Sequence, residues 1–345
     1  MEIQWSLVLF TALTGMGGCM FACVAADEFL GRAKAAAFPA AVAALVIAVV
    51  GGLASVTHLS HPGRIMGALS HPTSGIFTEA LLVGCLCVCV VVYLVLLKRE
   101  VGAGARKVVA VIGAVFGVLL SFMAGESYLM EARPNWCSQL LPLGYLLTAV
   151  PEGIAAYLVV VAAKAKDADV APYGRALLIG GVLGAAGAAA YVLWAGPADG
   201  VQWALLVVAV LGAGVVPAAC GALLGKKPES LMAMAGGSLA CAFVGAVSYR
   251  CIMWLITVPI ANLFLNPISL PSSGECEPRA HRAWQRAVSA MRLTKIDTRL
   301  LRTACPFARG GNGRERPKTS GRFGRKGRSW PTITRRRRNR KSAIS

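Results

Sequence analysis

The chain has 345 residues, 56% of them hydrophobic, with a mean hydropathy of +0.63 and a formal charge of +19. Soluble domains are roughly 45–50% apolar by a similar count, so the composition excludes an ordinary soluble globular fold. The charge is uneven: residues 1–270 hold 14 Lys/Arg and 12 Asp/Glu, whereas residues 271–345 hold 21 Lys/Arg against four acids. An apolar domain over 1–270 is thus followed by a basic tail over 271–345.

Crossing a bilayer's hydrocarbon takes about 20 mostly apolar residues in a helix. Eight such stretches follow in chain order, at approximately 4–26, 35–56, 76–97, 107–130, 139–163, 174–194, 202–224 and 231–265. In lipid the backbone must satisfy itself, and these runs lack the two-residue alternation of barrel strands. The expected fold is an all-α integral membrane protein, a bundle of about eight transmembrane helices. The first stretch lacks a basic leader, since Glu2 is the only charge before Asp27, so it reads as a retained helix.

Basic residues gather in alternate connectors. Arg32 and Lys34 follow the first span, Lys98, Arg99, Arg106 and Lys107 the third, Lys164, Lys166 and Arg175 the fifth, and Lys226 and Lys227 the seventh. The other connectors hold only Arg64 and Arg133. By the positive-inside rule these basic loops are cytoplasmic and the N-terminus is outside. The tail, exemplified by GRERPKTSGRFGRKGRSWPTITRRRRNRK, has no periodicity and too little apolar content for a core, so disorder is expected. Its excess of Arg over Lys also fits shifted reading of a GC-rich gene beyond a natural end near Leu270. A nucleic-acid or anionic-lipid arm conflicts with an outside tail, so nucleic acid is not an expected partner.

Eleven cysteines raise the question of a metal or cluster. The C-x-C-x-C run at Cys85, Cys87 and Cys89 turns about 100° per residue and does not converge on one helix face. No C-x₂-C pair with ligand spacing occurs, so neither a metal site nor an iron–sulfur cluster is expected in this chain. The histidines His58, His61, His71 and His281 all lie away from mid-span, which argues against b-type haem.

The remaining polar chemistry sits between spans two and three, in VTHLSHPGRIMGALSHPTSGIFTEALLV (residues 56–83), and at a few intramembrane charges. A charge at the bilayer centre costs on the order of 2.5–3.5 kcal/mol, so Glu79, Glu126 and Arg250 are expected to face the bundle interior. Glu79 is placed in the first turn of span three, where the helix dipole would support a carboxylate. Arg250 reads as one half of an ion pair, with Glu126 a candidate partner. His58, closing span two ahead of Pro62, titrates near working pH. His58 and Glu79 together offer two proton acceptors beside an apolar bundle, which suits oxidation of a lipid-soluble quinol to release two protons and two electrons.

The pattern S-V-T-H-L-S-H-P-G-R, with His58 and Arg64, resembles the H-L-G-x-P-x-R stretch of DMSO reductase membrane anchor subunits, the DmsC family. S-G-I-F-T-E, ending at Glu79, is similar to the motif opening their third helix. P-N-W at 134–136 with L-P-L-G-Y at 141–145 resembles their segment entering helix five, and Gly245 with Arg250 resembles their G-E-x-x-G-R. Ala246 stands where relatives often carry Glu, and Glu126 where they often place an Arg shortly before Tyr128.

The resemblance implies an anchor in the bacterial cytoplasmic (inner) membrane, holding an iron–sulfur electron-transfer subunit and a molybdopterin catalytic subunit. It implies menaquinol as bound electron donor in anaerobic respiration. His58 and Glu79 would be the proton acceptors, and Arg64, Tyr128 and Arg250 would line the quinol site. Two other readings stay open, a secondary transporter with Glu79, Glu126 and Arg250 along its path, and a passive anchor without a redox role.

Overall fold

A computed structural model describes residues 3–57, 74–130, 133–165 and 167–256. The basic tail, the end of the eighth span beyond Ile256, His58 and Arg64 lie outside these residues. Among the described residues, eight helices are long and apolar enough to cross a membrane. They are α1 Trp5–Leu30, α2 Lys34–Val56, α3 Gly75–Lys98, α4 Ala103–Glu126, α5 Leu140–Lys164, α6 Ala171–Ala195, α7 Gly200–Leu224 and α8 Leu231–Leu255. Even the shortest, at 23 residues, is about 35 Å long, enough for a hydrocarbon core of about 30 Å.

Two boundaries differ from the sequence expectation in ways that matter. α1 runs on to Leu30 because Gly31 takes the left-handed conformation, φ 66°, that closes a helix. Asp27 and Glu28 therefore belong to the helix and are not loop residues. α4 ends at Glu126, so Ser127 and Tyr128 emerge from the span into the connector.

Neighbouring helices form two four-membered rings. α1–α2–α3–α4 close on each other, as do α5–α6–α7–α8, and the rings join where α1, α2 and α4 meet α5 and where α1 meets α8. Chain direction alternates. The C-terminal ends of α1, α3 and α5 meet through Glu28, Tyr93, Asp27 and Tyr157. Hence the basic connectors gather at one end of the bundle, and the Glu79 end is the opposite one. α1 is the most enclosed helix, whereas α3 is largely on the outside, with Val88 62% exposed. Outward Leu53, Val88, Ile179 and Val201 form the apolar belt a lipid-facing surface requires.

Lipid tails are as apolar as Leu, so burial does not drive helices together; close backbone packing does. The α1/α4 crossing shows this at Gly18 and Gly117. A Cβ on Gly18 would sit 2.6 Å from the Gly117 carbonyl oxygen, and one on Gly117 would sit 2.7 Å from the Gly18 Cα. Gly117→Leu is therefore expected to force the helices apart and lower stability by roughly 1–3 kcal/mol, read as an earlier unfolding midpoint in detergent.

Helix α5 runs unbroken through Pro151, whereas α7 has a π-helical turn, Leu211–Val215, immediately before Pro217. Proline lacks the N–H that would bond four residues back, and the π turn absorbs the mismatch. The two prolines thus do not form a matched pair of helix breaks.

Candidate functional site

The site is built at the end of the bundle where α3 begins and α4 and α8 finish. Ser74 caps α3, its Oγ accepting the Phe77 N–H at 3.1 Å. Glu79 is the fifth helical residue, past the first turn that had been expected to hold it, and that turn has no acidic residue. The macrodipole fades within one turn. Something else must hold this half-buried carboxylate, and Ser127 does so: its hydroxyl donates to Glu79 Oε1. Ser127 is free for this because α4 stops one residue before it.

Tyr128 follows Ser127 and is wedged among aromatics. Its ring meets Trp136 and Trp254 edge-on at 5.8 and 5.9 Å and lies tilted against Tyr145 at 5.9 Å. Burial first, then Tyr145 and Glu79, holds its phenol well above the ordinary value, so the hydroxyl remains a donor. The charges of Glu79 and Arg250 both act on Tyr128 and on Tyr145.

The P-N-W segment is a 3₁₀ turn, Pro134–Trp136, that locks the end of α8. Trp136 Nε1 donates to the Met253 carbonyl at 2.8 Å, and Asn135 Nδ2 to that of Ile256 at 2.7 Å. Arg133 stacks over the Trp136 ring at 4.1 Å. Tyr249 donates to the Leu141 carbonyl at 3.0 Å, fixing α8 on α5. The motifs around Glu79, Trp136, Tyr145 and Arg250, far apart in sequence, therefore meet at one aromatic-lined end.

Arg250 is 1% exposed. Its Nε donates to Thr11 Oγ1 at 2.9 Å and its two terminal nitrogens to the carbonyls of Ala246 at 2.9 Å and Thr11 at 3.2 Å. A longer contact, 3.5 Å, reaches Thr148 Oγ1, and the guanidinium lies 4.7 Å over Tyr145. The expected ion pair with Glu126 does not form. Glu126 instead accepts a 3.5 Å bond from Gln139. The reason is position: Glu126 ends α4 in the connector layer, whereas Arg250 turns inward to Thr11 and Thr148 in the bundle.

Sequence reasoning missed two groups. Glu152, on α5 directly after Pro151, is completely buried, and neither carboxylate oxygen has a hydrogen-bond partner among the described residues. Arg250 is the cation whose field acts on it. The insertion-cost argument applied to Glu79 and Arg250 flags this mid-span carboxyl equally well. The second group lies at the opposite end. Asp27 accepts from the hydroxyls of Tyr157 and Tyr173. Glu28 accepts from Tyr93 at 2.8 Å and faces Arg106 at 3.0 Å, a charge contact off the hydrogen-bond axis.

An apolar groove of about 480 Å³ opens between α1 and α4, lined by Ala22, Ala25, Phe29, Val111 and Val118 among others. It shares no residue with the Glu79 cluster and carries no titratable group, so it is not the centre of proton chemistry.

No match to a curated protein was found. The family model for the DMSO reductase anchor subunit (DmsC) matches residues 1–190, which takes in α1–α5, the His58–Glu79 segment and Pro134–Tyr145 but not Arg250. With more than half the chain matched and eight membrane-length helices in place, this multi-pass membrane protein belongs to the DMSO reductase anchor subunit family.

Proposed function

We propose that the chain is the membrane anchor and menaquinol-oxidising subunit of a DMSO-reductase-like complex in the bacterial cytoplasmic membrane, with its N-terminus outside. The observation that carries this reading is the Glu79 carboxylate, half-buried, oriented by Ser127 and placed beside Tyr128 at the mouth of an apolar bundle. Oxidising a quinol removes two protons and two electrons. Glu79 takes one proton and His58 the other, while Tyr128 and the Arg250–Tyr145 pair set the polarity around the head group. Arg64 orients the head group or meets the partner subunit. The electrons leave to an iron–sulfur subunit and from there to a molybdopterin catalytic subunit.

The test is a titration of a fluorescent quinol-site inhibitor against membranes containing the complex. Saturable quenching is expected for the wild type and none for His58→Arg or Glu79→Gln. Absence of saturable binding in the wild type would leave a passive anchor or a transporter.

Ser127 is a positioning residue in this scheme. A hydrogen bond to a charged group is worth about 1.5–3 kcal/mol. Ser127→Ala is expected to lower kcat for quinol oxidation roughly tenfold while leaving KM nearly unchanged, and Ser127→Thr to restore it. A change in KM alone would assign Ser127 to binding.

A further inference from the structure

On α1 the residues Thr11, Gly15, Cys19, Cys23 and Asp27 recur at every fourth position, so each lies beside the next along a ridge that winds slowly around the helix, by about 40° per step. Along this ridge Thr11, Gly15, Cys19 and Asp27 are buried and Cys23 is half-buried. Thr11 to Asp27 spans about 24 Å at 1.5 Å per residue, most of a hydrocarbon core of about 30 Å. Cys19 stands at its midpoint, and there α5 crosses, the backbone of Gly153 lying directly against Cys19 and Met20. Glu152 is the neighbouring residue, and both of its oxygens lack a hydrogen-bond partner among the described residues. Buried polar atoms in native folds are satisfied by protein or by water, so an unpartnered carboxyl beside a polar stripe marks where a proton and water are accommodated.

We propose that Glu152 is a proton-accepting site within the membrane domain, reached from the Asp27 end of the bundle along the buried stripe of α1. This does not depend on the quinol reading.

The groups facing the route are Cys19, Cys23, Asp27 and Glu28 from α1, Arg32 from the connector after it, Tyr93 from α3, Arg106 and Ser121 from α4, Tyr157 from α5, Tyr173 from α6 and Arg250 from α8. Asp27, held by two tyrosine hydroxyls, is the entry. Cys23 lies between Asp27 and Cys19 on that ridge. In the transfer, one O–H bond breaks on the donor at the Asp27 end and one forms on Glu152, and no electrons move. Beyond Glu152 the guanidinium of Arg250 occupies the level of Thr11 and Thr148. A fixed cation there opposes passage of a proton, as in pores that exclude protons electrostatically. The route is thus open at one end only. The domain takes up a proton from the Asp27 face without leaking it to the Glu79 face.

Infrared spectroscopy of the full complex in proteoliposomes without quinol tests this. A buried protonated-carboxyl C=O band is expected in the wild type, absent in Glu152→Gln, and shifted on transfer to D₂O. Asp27→Asn is expected to slow that shift roughly tenfold, about 1.4 kcal/mol of added barrier. Asp27 also anchors two tyrosines, so Cys23→Leu, which fills the stripe midway, gives a second reading and the same slowing. A band that persists in Glu152→Gln overturns the proposal, as does wild-type exchange in Cys23→Leu. Because no quinol is present, neither result bears on the Glu79 site.

Discussion

Glu79→Gln is expected to reduce menaquinol-dependent electron transfer by a factor on the order of 10²–10⁴, the usual worth of a positioned proton acceptor. The substitution is nearly isosteric. The glutamine carbonyl still accepts the Ser127 hydroxyl, so the local geometry at the start of α3 is retained. What is removed is the capacity to take a proton. The loss should therefore appear in kcat, and an artificial reductant feeding the water-soluble subunits directly should still drive substrate reduction at the wild-type rate. Equal loss with both donors would instead mean that the complex has come apart. Unchanged menaquinol-driven turnover in Glu79→Gln would falsify the assignment and shift attention to Glu126.

The second large effect is expected at Arg250. Replacement by Met keeps the volume but deprives the Thr11 hydroxyl and the Thr11 and Ala246 carbonyls of their donors. It also removes the cation that acts on Glu152. Leaving buried acceptors without their charged donor costs about 1.5–3 kcal/mol per hydrogen bond. Polar contacts in membranes are individually smaller, at most about 2 kcal/mol, so the lower part of that range is expected. Arg250→Met combined with Glu152→Leu should recover part of the loss, since the second change removes a buried carboxyl that has no hydrogen-bond partner among the described residues. Unfolding midpoints in detergent for the two single variants and the double variant decide this. Strictly additive losses would show that Arg250 and Glu152 act independently.

The two cases differ in how much of them is visible in the sequence. Glu79 announces itself, a carboxylate opening an apolar span beside a histidine-rich connector. Its partner does not. Ser127 is 48 residues away and reaches Glu79 only because α4 ends early, a boundary that hydropathy places four residues too late. Arg250 stands out equally as a charge within a span, yet it bonds across the bundle to Thr11, 239 residues away. Charge complementarity in the sequence points instead to Glu126. Glu152, inside the span at 139–163, carries the same signal as Arg250, and the insertion cost flags it equally. Asp27 and Glu28 look like loop residues until Gly31 is seen to close the helix beyond them.

By itself the sequence determined the class, the number of spans and their approximate limits. Those depend on quantities local to each segment, the length of an apolar run measured against the bilayer and the backbone's need to bond within it. Its motifs also determined the family, since the matched region contains the segments that carry the likeness, all but Gly245–Arg250. Only the tertiary structure decided which polar groups meet: Glu79 with Ser127, Arg250 with Thr11, Asp27 with Tyr157 and Tyr173. In lipid every helix surface is nearly equally apolar. Hydrophobicity therefore does not say which faces pair, and the choice falls to close packing at small residues such as Gly18 and Gly117.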